Sequence, residues 1–387
     1  MGNPDSVLVK ATLLAISTLT VMAGATIAPS LPAMQEHFEA VDNVEYWVRL
    51  VLTVPALCIA VGAPVVGVLI DRFGRKPLLT AALVVYGLAG SSGLWLPTIG
   101  SILVGRALLG LSVAGVMIGA TALIADYYQG SARGQFLGLQ AAFMALGGVL
   151  FLTAGGFLAD LNWRLPFAIY LAALLLLPGV RRILPEPEQT RVKHPVHSEE
   201  EPTTVAFGLI ILTYGIALVT QIVFYLIPVQ LPFYLKSLVN ASASRSGLAI
   251  ALTTLFSALS SWLYQRLKSR LSFISIYGIA FLNMALGYGL ISLATDFTLV
   301  LPGLAIAGIG LGLVMPNMNN CLTYVTPSAS RGRVLSGLTT CFFLGQFLSP
   351  LVTQPVSQIV GFGVTYAFAG LLMAILAAFA LIFLLRS

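Results

Sequence analysis

GVLIDRFGRKPLL, from Gly67 to Leu79, is the stretch on which the reading of this chain turns. It is a short charged connection between two long apolar runs. Arg72, Arg75 and Lys76 sit beside Asp71 in a chain of which only 9% is charged. An apolar run that stops at Asp71 and resumes at Pro77 reads as two helices joined by a tight turn. Gly74 permits that turn, Gly67 lets a neighbouring helix approach closely, and Arg75 pairs with Asp71 across it. Asp126 closes a later run on the same side and joins the cluster. The positive N-terminal end of a helix starting at Val334 also faces Asp71.

The same pattern of long apolar runs and short charged turns extends through all 387 residues. The chain is 58% hydrophobic, with a mean hydropathy of +0.95. A soluble domain carries roughly 25% charged residues, so most of this apolar surface faces lipid. Each run holds the roughly 20 residues a membrane helix needs, and the lack of alternation excludes a β-barrel. The runs read as helix 1 (Val7–Met34), helix 2 (Val44–Ile70), helix 3 (Pro77–Leu96), helix 4 (Ile99–Tyr127), helix 5 (Gly134–Ala159) and helix 6 (Leu165–Val180). After the polar stretch Arg181–Thr203 come helix 7 (Thr204–Leu235), helix 8 (Ser246–Leu267), helix 9 (Phe273–Ala294), helix 10 (Leu299–Tyr324), helix 11 (Val334–Ile359) and helix 12 (Val364–Leu385). Helix 1 is too long for a removed signal peptide. The expected architecture is an all-α polytopic membrane protein: an N-terminal six-helix bundle (1–180), a cytoplasmic linker (181–203) and a C-terminal six-helix bundle (204–387).

Charge fixes the orientation. With the N-terminus in the cytoplasm, all Lys and Arg fall in inner loops or termini except Arg49, Arg106, Arg164, Lys236 and Arg245. The positive-inside rule therefore places both termini and the central loop in the cytoplasm of a cell inner (plasma) membrane. The net charge of +6 serves topology and anionic lipid, and needs no nucleic acid. Cys58, Cys321 and Cys341 lie inside apolar runs without metal or redox spacing and read as small buried hydrophobes.

The halves repeat each other. ALLGLSVAGVM (Ala107–Met117) aligns with AIAGIGLGLVM (Ala305–Met315), and Arg133-Gly134 with Arg331-Gly332. Leu31-Pro32 and Leu231-Pro232 close the outer ends of helices 1 and 7. Such a parallel repeat places a binding site between the halves near mid-membrane.

With Gly67, Asp71, Arg72, Gly74, Arg75 and Lys76 in these positions, the loop after helix 2 resembles the signature of the major facilitator superfamily. The resemblance extends through nearly the whole chain. It implies alternating access, a monomer, and a latch formed by these residues with Asp126 that holds the outward-facing state. In the second half Ser269 stands where Asp71 would repeat. Arg106-x-x-Leu109-Gly110, the WRLPF run from Trp163 to Phe167, and LPEPE after helix 6 are similar to the family's drug/proton antiporters. Leu109 replaces the Gln common there. On helix 5 only Gly147, Gly155 and Gly156 remain of a longer antiporter motif, with Phe151-Leu152 in place of Gly-Pro. The resemblance gives Arg106 a role in proton coupling.

No Asp or Glu lies at the centre of any run, whereas Arg106 lies well inside one. A charge at that depth marks an aqueous cavity or a paired site, unless it snorkels to the surface. A buried cation needs a counter-charge, so a pocket without acids favours neutral or anionic amphiphiles. The candidate substrate residues are Arg106, Gln140, Gln221, Tyr225, Asn317, Asn320 and Gln346, with Phe143, Phe224, Phe342 and Phe343 supplying apolar contact; each polar one is alternatively a bond between helices. Candidate coupling residues are Asp126 and Glu45, modulated by Arg106 and Arg49. All three histidines read as loop residues, and His194 and His197 as solvated rather than metal-binding. No metal, cofactor or catalytic group is expected, since no His or central acid lies at depth beside a Ser or Cys. The expected function is proton-coupled efflux of small lipophilic compounds. The alternatives are a facilitator or importer of a sugar or other metabolite, and, further off, a membrane enzyme or transporter-like receptor.

Overall fold

The computed structural model describes residues 6–185, 207–327 and 330–386, without the side chains of 71, 385 and 386. Among these residues the chain is helix and turn throughout. Eleven runs are long and apolar enough to cross a membrane: Val7–His37, Val44–Ile70, Arg75–Leu94, Ile99–Tyr127, Gly130–Leu161, Leu165–Arg182, Phe207–Val239, Ala243–Lys268, Phe273–Ser292, Phe297–Val325 and Arg331–Leu384. The first ten are helices 1 to 10 of the sequence reading, and the numbers are kept. The last run is two helices meeting at Gly361, whose φ of 80° and ψ of 166° are non-helical. Helix 12 turns back there. A Cβ on Gly363 would approach Ser292 at one end of helix 9, whereas Gly278 at the other end faces Ala380. The division of this run into two helices therefore rests on one glycine. Most of the linker, with His194 and His197, lies outside the described residues.

Local sequence explains where the helices begin. Ser6, Thr98, Ser242, Ser272 and Asp296 each accept a hydrogen bond from a backbone N–H of the first turn that follows, satisfying a donor that has no partner inside the helix. Gly74, with φ 89°, ends helix 2 and its N–H returns to Ile70 O at 2.9 Å, so the expected tight turn is present. His37 is not a loop residue; it is the last helical residue before Phe38 and packs on Phe38 and Trp163.

Two spans expected to be continuous are broken. Helix 1 is α-helical over Val7–Ala25, passes through a 3-10 turn at Ala28–Ser30, and resumes over Leu31–His37. Helix 7 runs Phe207–Phe224 and restarts over Leu226–Val239. Each break falls four residues before a proline, Pro29 or Pro228. Proline has no N–H to give the carbonyl four residues back, and its ring crowds that carbonyl.

The aligned stretches of helices 4 and 10 have equivalent structural roles. Gly110 sits against Pro55 and Cys58 of helix 2, and Gly308 against Thr253 and Phe256 of helix 8. Small residues at these crossings let backbones meet where lipid offers no hydrophobic drive between helices. Between the halves, helix 5 meets helix 8 at Gly156 and Gly247. An added Cβ on Gly247 would lie 2.6 Å from Leu152 O, and one on Gly156 2.9 Å from Ala243 O.

Candidate functional site

A cavity of about 240 Å³ opens at the breaks of helices 1 and 7. Helices 1, 2 and 5 form one wall; helices 7, 8 and 11 form the other. The lining is mainly hydrocarbon, including Phe151, Phe224 and Phe343. Its polar groups are neutral: Thr20, Thr26, Tyr225, Thr253, Thr254 and Gln346. The arrangement offers apolar contact and a few hydrogen-bonding groups.

Of the residues expected to bind substrate, Phe224, Tyr225, Phe343 and Gln346 line the cavity. Gln221 lies buried behind Gln346, whose Nε2 donates to its Oε1 at 3.3 Å. Phe342 is buried in the core, a hundred degrees round the helix from Phe343. Asn317 and Asn320 are not in the lining. Asn317 is fully buried, accepting from the Tyr264 hydroxyl at 3.2 Å and donating to Phe273 O at 3.0 Å. Asn317 thus staples helix 10 to helices 8 and 9, the inter-helix alternative. Gln140 donates to Ser17 Oγ at 2.9 Å, and Phe143 is exposed; neither lines the cavity.

Arg106 neither lines the cavity nor snorkels. It is 0% exposed. Its Nε donates to Val51 O at 2.9 Å and its Nη2 to Ala23 O at 3.0 Å, so it grips helices 1 and 2 from behind the cavity wall. Its Cζ lies 5.1 Å from the centre of the Tyr170 ring, and its Nη1 is buried with no partner.

Sequence reasoning singled out Arg106 alone as lying at depth; a second arginine, near the start of helix 2, is also buried. Arg49 is 2% exposed. Its Nη1 donates to Gln35 Oε1 at 3.1 Å and Glu45 O at 2.7 Å, and its Nε to Gln230 Oε1 of the other half at 2.9 Å. Its guanidinium stacks 3.8 Å from the Phe233 ring centre. Gln230 in turn donates to Gln354 Oε1 at 3.0 Å and Thr353 Oγ1 at 3.3 Å. Around this hub, Gln358 Nε2 donates to Glu45 at 2.8 Å, Lys236 pairs with Glu36, and Ser244 N–H donates to Asp160 at 3.3 Å. These links join the halves at one end of the bundle. The signal for them lay in Gln35, Gln230, Gln354 and Gln358, amides near the ends of apolar runs.

The opposite end is splayed. Between Ser131 and Phe143, helix 5 buries only Phe136. A Cβ on Gly67, Gly134 or Gly332 would meet nothing within 4 Å. The close helix approach expected at Gly67 is therefore absent, because the ends it would join stand apart. Of the expected latch, Arg75 pairs with Asp126, with Nη2 to Oδ1 at 3.2 Å, inside the N-terminal half. The Asp71 side chain lies outside the described portion. Arg72 and Lys76 lie at the same turn; Arg72 Cζ is 5.5 Å from the Phe73 ring centre.

A family model described as Major Facilitator Superfamily matches residues 13–350 and, again, 213–387. The chain belongs to the major facilitator superfamily. It is a transporter by family. It is 25% identical to a "Multi-drug resistance efflux pump PmrA homolog" of Lactococcus lactis, covering 83% of this chain and 80% of that protein. It is 27% identical to a "Tetracycline resistance protein, class C" of Escherichia coli, covering 89% and 88%. A solved D-xylose-proton symporter superposes with a TM-score of 0.78 at 18% identity, covering 95% of this chain and 97% of that one. At that identity the likeness shows the fold.

Proposed function

We propose that this chain exports small lipophilic molecules from the cytoplasm by alternating access, coupled to proton entry. The observation that carries the reading is the cavity at the helix 1 and helix 7 breaks, closed at one end by links between the halves and splayed at the other. The basic turn of Arg72, Arg75 and Lys76 lies at the splayed end, so the positive-inside rule makes the state inward-facing. Both termini then lie in the cytoplasm of the inner membrane, with Arg181–Thr203 as the connection between two units and anionic lipid against the basic turns. The chain acts as a monomer.

Efflux is supported by the mainly apolar lining and by relatives named for drug efflux and tetracycline resistance over most of both chains. The scarcity of polar groups in the lining weighs against a sugar importer. Coupling falls to carboxylates at the two ends, Glu45 at the sealed one and Asp126 at the splayed one, with Arg49 and Arg106 setting the field around them. The test is transport of tetracycline and of chloramphenicol, a neutral amphiphile, in proteoliposomes of known orientation. Substrate should move from the cytoplasmic to the outer face and accumulate only when a pH gradient, acid outside, is imposed. Accumulation in the reverse direction would establish an importer; equilibration indifferent to the gradient would leave a facilitator. No flux of either probe overturns the exporter reading.

A further inference from the structure

The buried cation behind the cavity has no counter-charge. Arg106 is fully buried in a membrane helix, and its bonds go to two backbone carbonyls, Val51 O and Ala23 O. Its Nη1 is buried without a partner. The hydroxyl of Tyr170, whose ring lies under the guanidinium, is likewise buried without a partner. Its neighbour Tyr86 is satisfied, donating to Leu19 O at 2.6 Å.

Between this cluster and the cavity stand Ala23 and Gly24, which are themselves cavity lining. Tyr225 reaches the same place from the opposite half. It lines the cavity, and its hydroxyl would lie 3.3 Å from a Cβ on Gly24. Arg106 holds the carbonyl of Ala23 while Tyr225 reaches the next residue, Gly24, so side chains from helices 4, 6 and 7 gather around one turn of helix 1. An arginine has no acceptor atoms at all. Buried polar groups left unpaired are costly, and an uncompensated ion in a membrane interior more so. The ligand that completes such a cluster is an oxygen anion.

We infer that Arg106, Tyr170 and Tyr225 form a subsite for the carboxylate of a lipophilic acid, with the aromatic body of the substrate in the apolar cavity beside Phe224 and Phe343. This rests on the exporter reading and narrows its substrate class. The absence of any acidic residue from the cavity lining fits it, since a carboxylate there would repel the substrate. Gly24 puts no side chain between the Tyr225 hydroxyl and that turn of helix 1.

The experiment is calorimetric titration of the purified protein with 1-naphthoate and with 1-naphthamide, which has nearly the same shape and no charge. Naphthoate should bind at least about tenfold more tightly, the scale of a charge-assisted hydrogen bond. Tyr225→Phe and Tyr170→Phe should each weaken naphthoate several-fold more than naphthamide, and keep the melting temperature of the parent. Arg106→Gln should abolish the preference; because Arg106 also grips helices 1 and 2, the two tyrosine variants carry the test if that variant does not fold. Equal binding of the two probes, absence of naphthoate binding, or folded tyrosine variants that bind naphthoate normally would overturn the subsite and leave ordered water as what satisfies Nη1. Tetracycline or chloramphenicol export in the presence of such a result would leave the exporter reading standing, so the two failures are distinguishable.

Discussion

At the scale of single residues, the two buried arginines differ in what they bind. Arg106 stays within its own half, whereas Arg49 reaches across to Gln230 and stacks on Phe233. Arg49 therefore responds to the separation of the halves. Replacing it with glutamine removes charge-assisted bonds, while Gln230 keeps Gln354 and Thr353 as partners. In a background lacking the three native cysteines and carrying Thr20→Cys in the cavity, Arg49→Gln should raise labelling by an impermeant maleimide from the sealed side at least about tenfold. Unchanged labelling would show that Arg49 takes no part in closure. Arg106 was visible in the sequence because a charge inside an apolar run stands out on its own. Arg49 was visible only as a boundary residue, since Gln230 lies 181 positions away and the bond exists only once the halves meet.

At the scale of elements, the breaks in helices 1 and 7 shape the cavity. The runs themselves were legible from length and apolarity, and the close crossings at Gly110 and Gly308 from the repeat. The breaks were not, because a proline near the end of a long apolar run is equally consistent with a kink, an interruption or an early stop. The same ambiguity affects the facing of single side chains. Asn317 and Gln346 sit in similar apolar surroundings along the chain, yet one lies inside a three-helix junction and the other on the cavity wall. Which face a membrane helix turns to its neighbours is set by packing that hydrophobicity does not encode when lipid and protein interior are equally apolar. Pro228→Ala would give the Phe224 carbonyl an N–H to accept and let helix 7 continue through Tyr225. The melting temperature should stay level or rise, and tetracycline efflux should fall several-fold, because the discontinuity is part of the site. Wild-type efflux from a straightened, stable variant would show the break to be dispensable.

At the scale of the whole molecule, the halves touch at one end and part at the other. Alternation requires the reverse arrangement to exist, with the splayed ends brought together. Gly67 has open space around it now and lies on the side that must then close. Gly67→Leu should therefore leave the folded state seen here undamaged, even gaining up to about 1 kcal/mol in helix propensity. Transport of tetracycline should nonetheless drop to a small fraction of wild type. A variant with unimpaired transport would mean that this end never closes tightly at Gly67. The apolar runs and the charged turns between them could be read from spacing and charge alone. The state of the cleft could not, since a single sequence supports both arrangements.

Gly361 has a practical consequence. Helices 11 and 12 reverse on that one residue, leaving no slack backbone between them. A protease needs an extended stretch to cut, and an inserted epitope needs a connector that tolerates lengthening. Neither finds one there. Mapping of the sealed face by proteolysis or tag insertion should succeed at the connector before Asn43 and stay silent at Gly361, although both lie on the same side of the membrane.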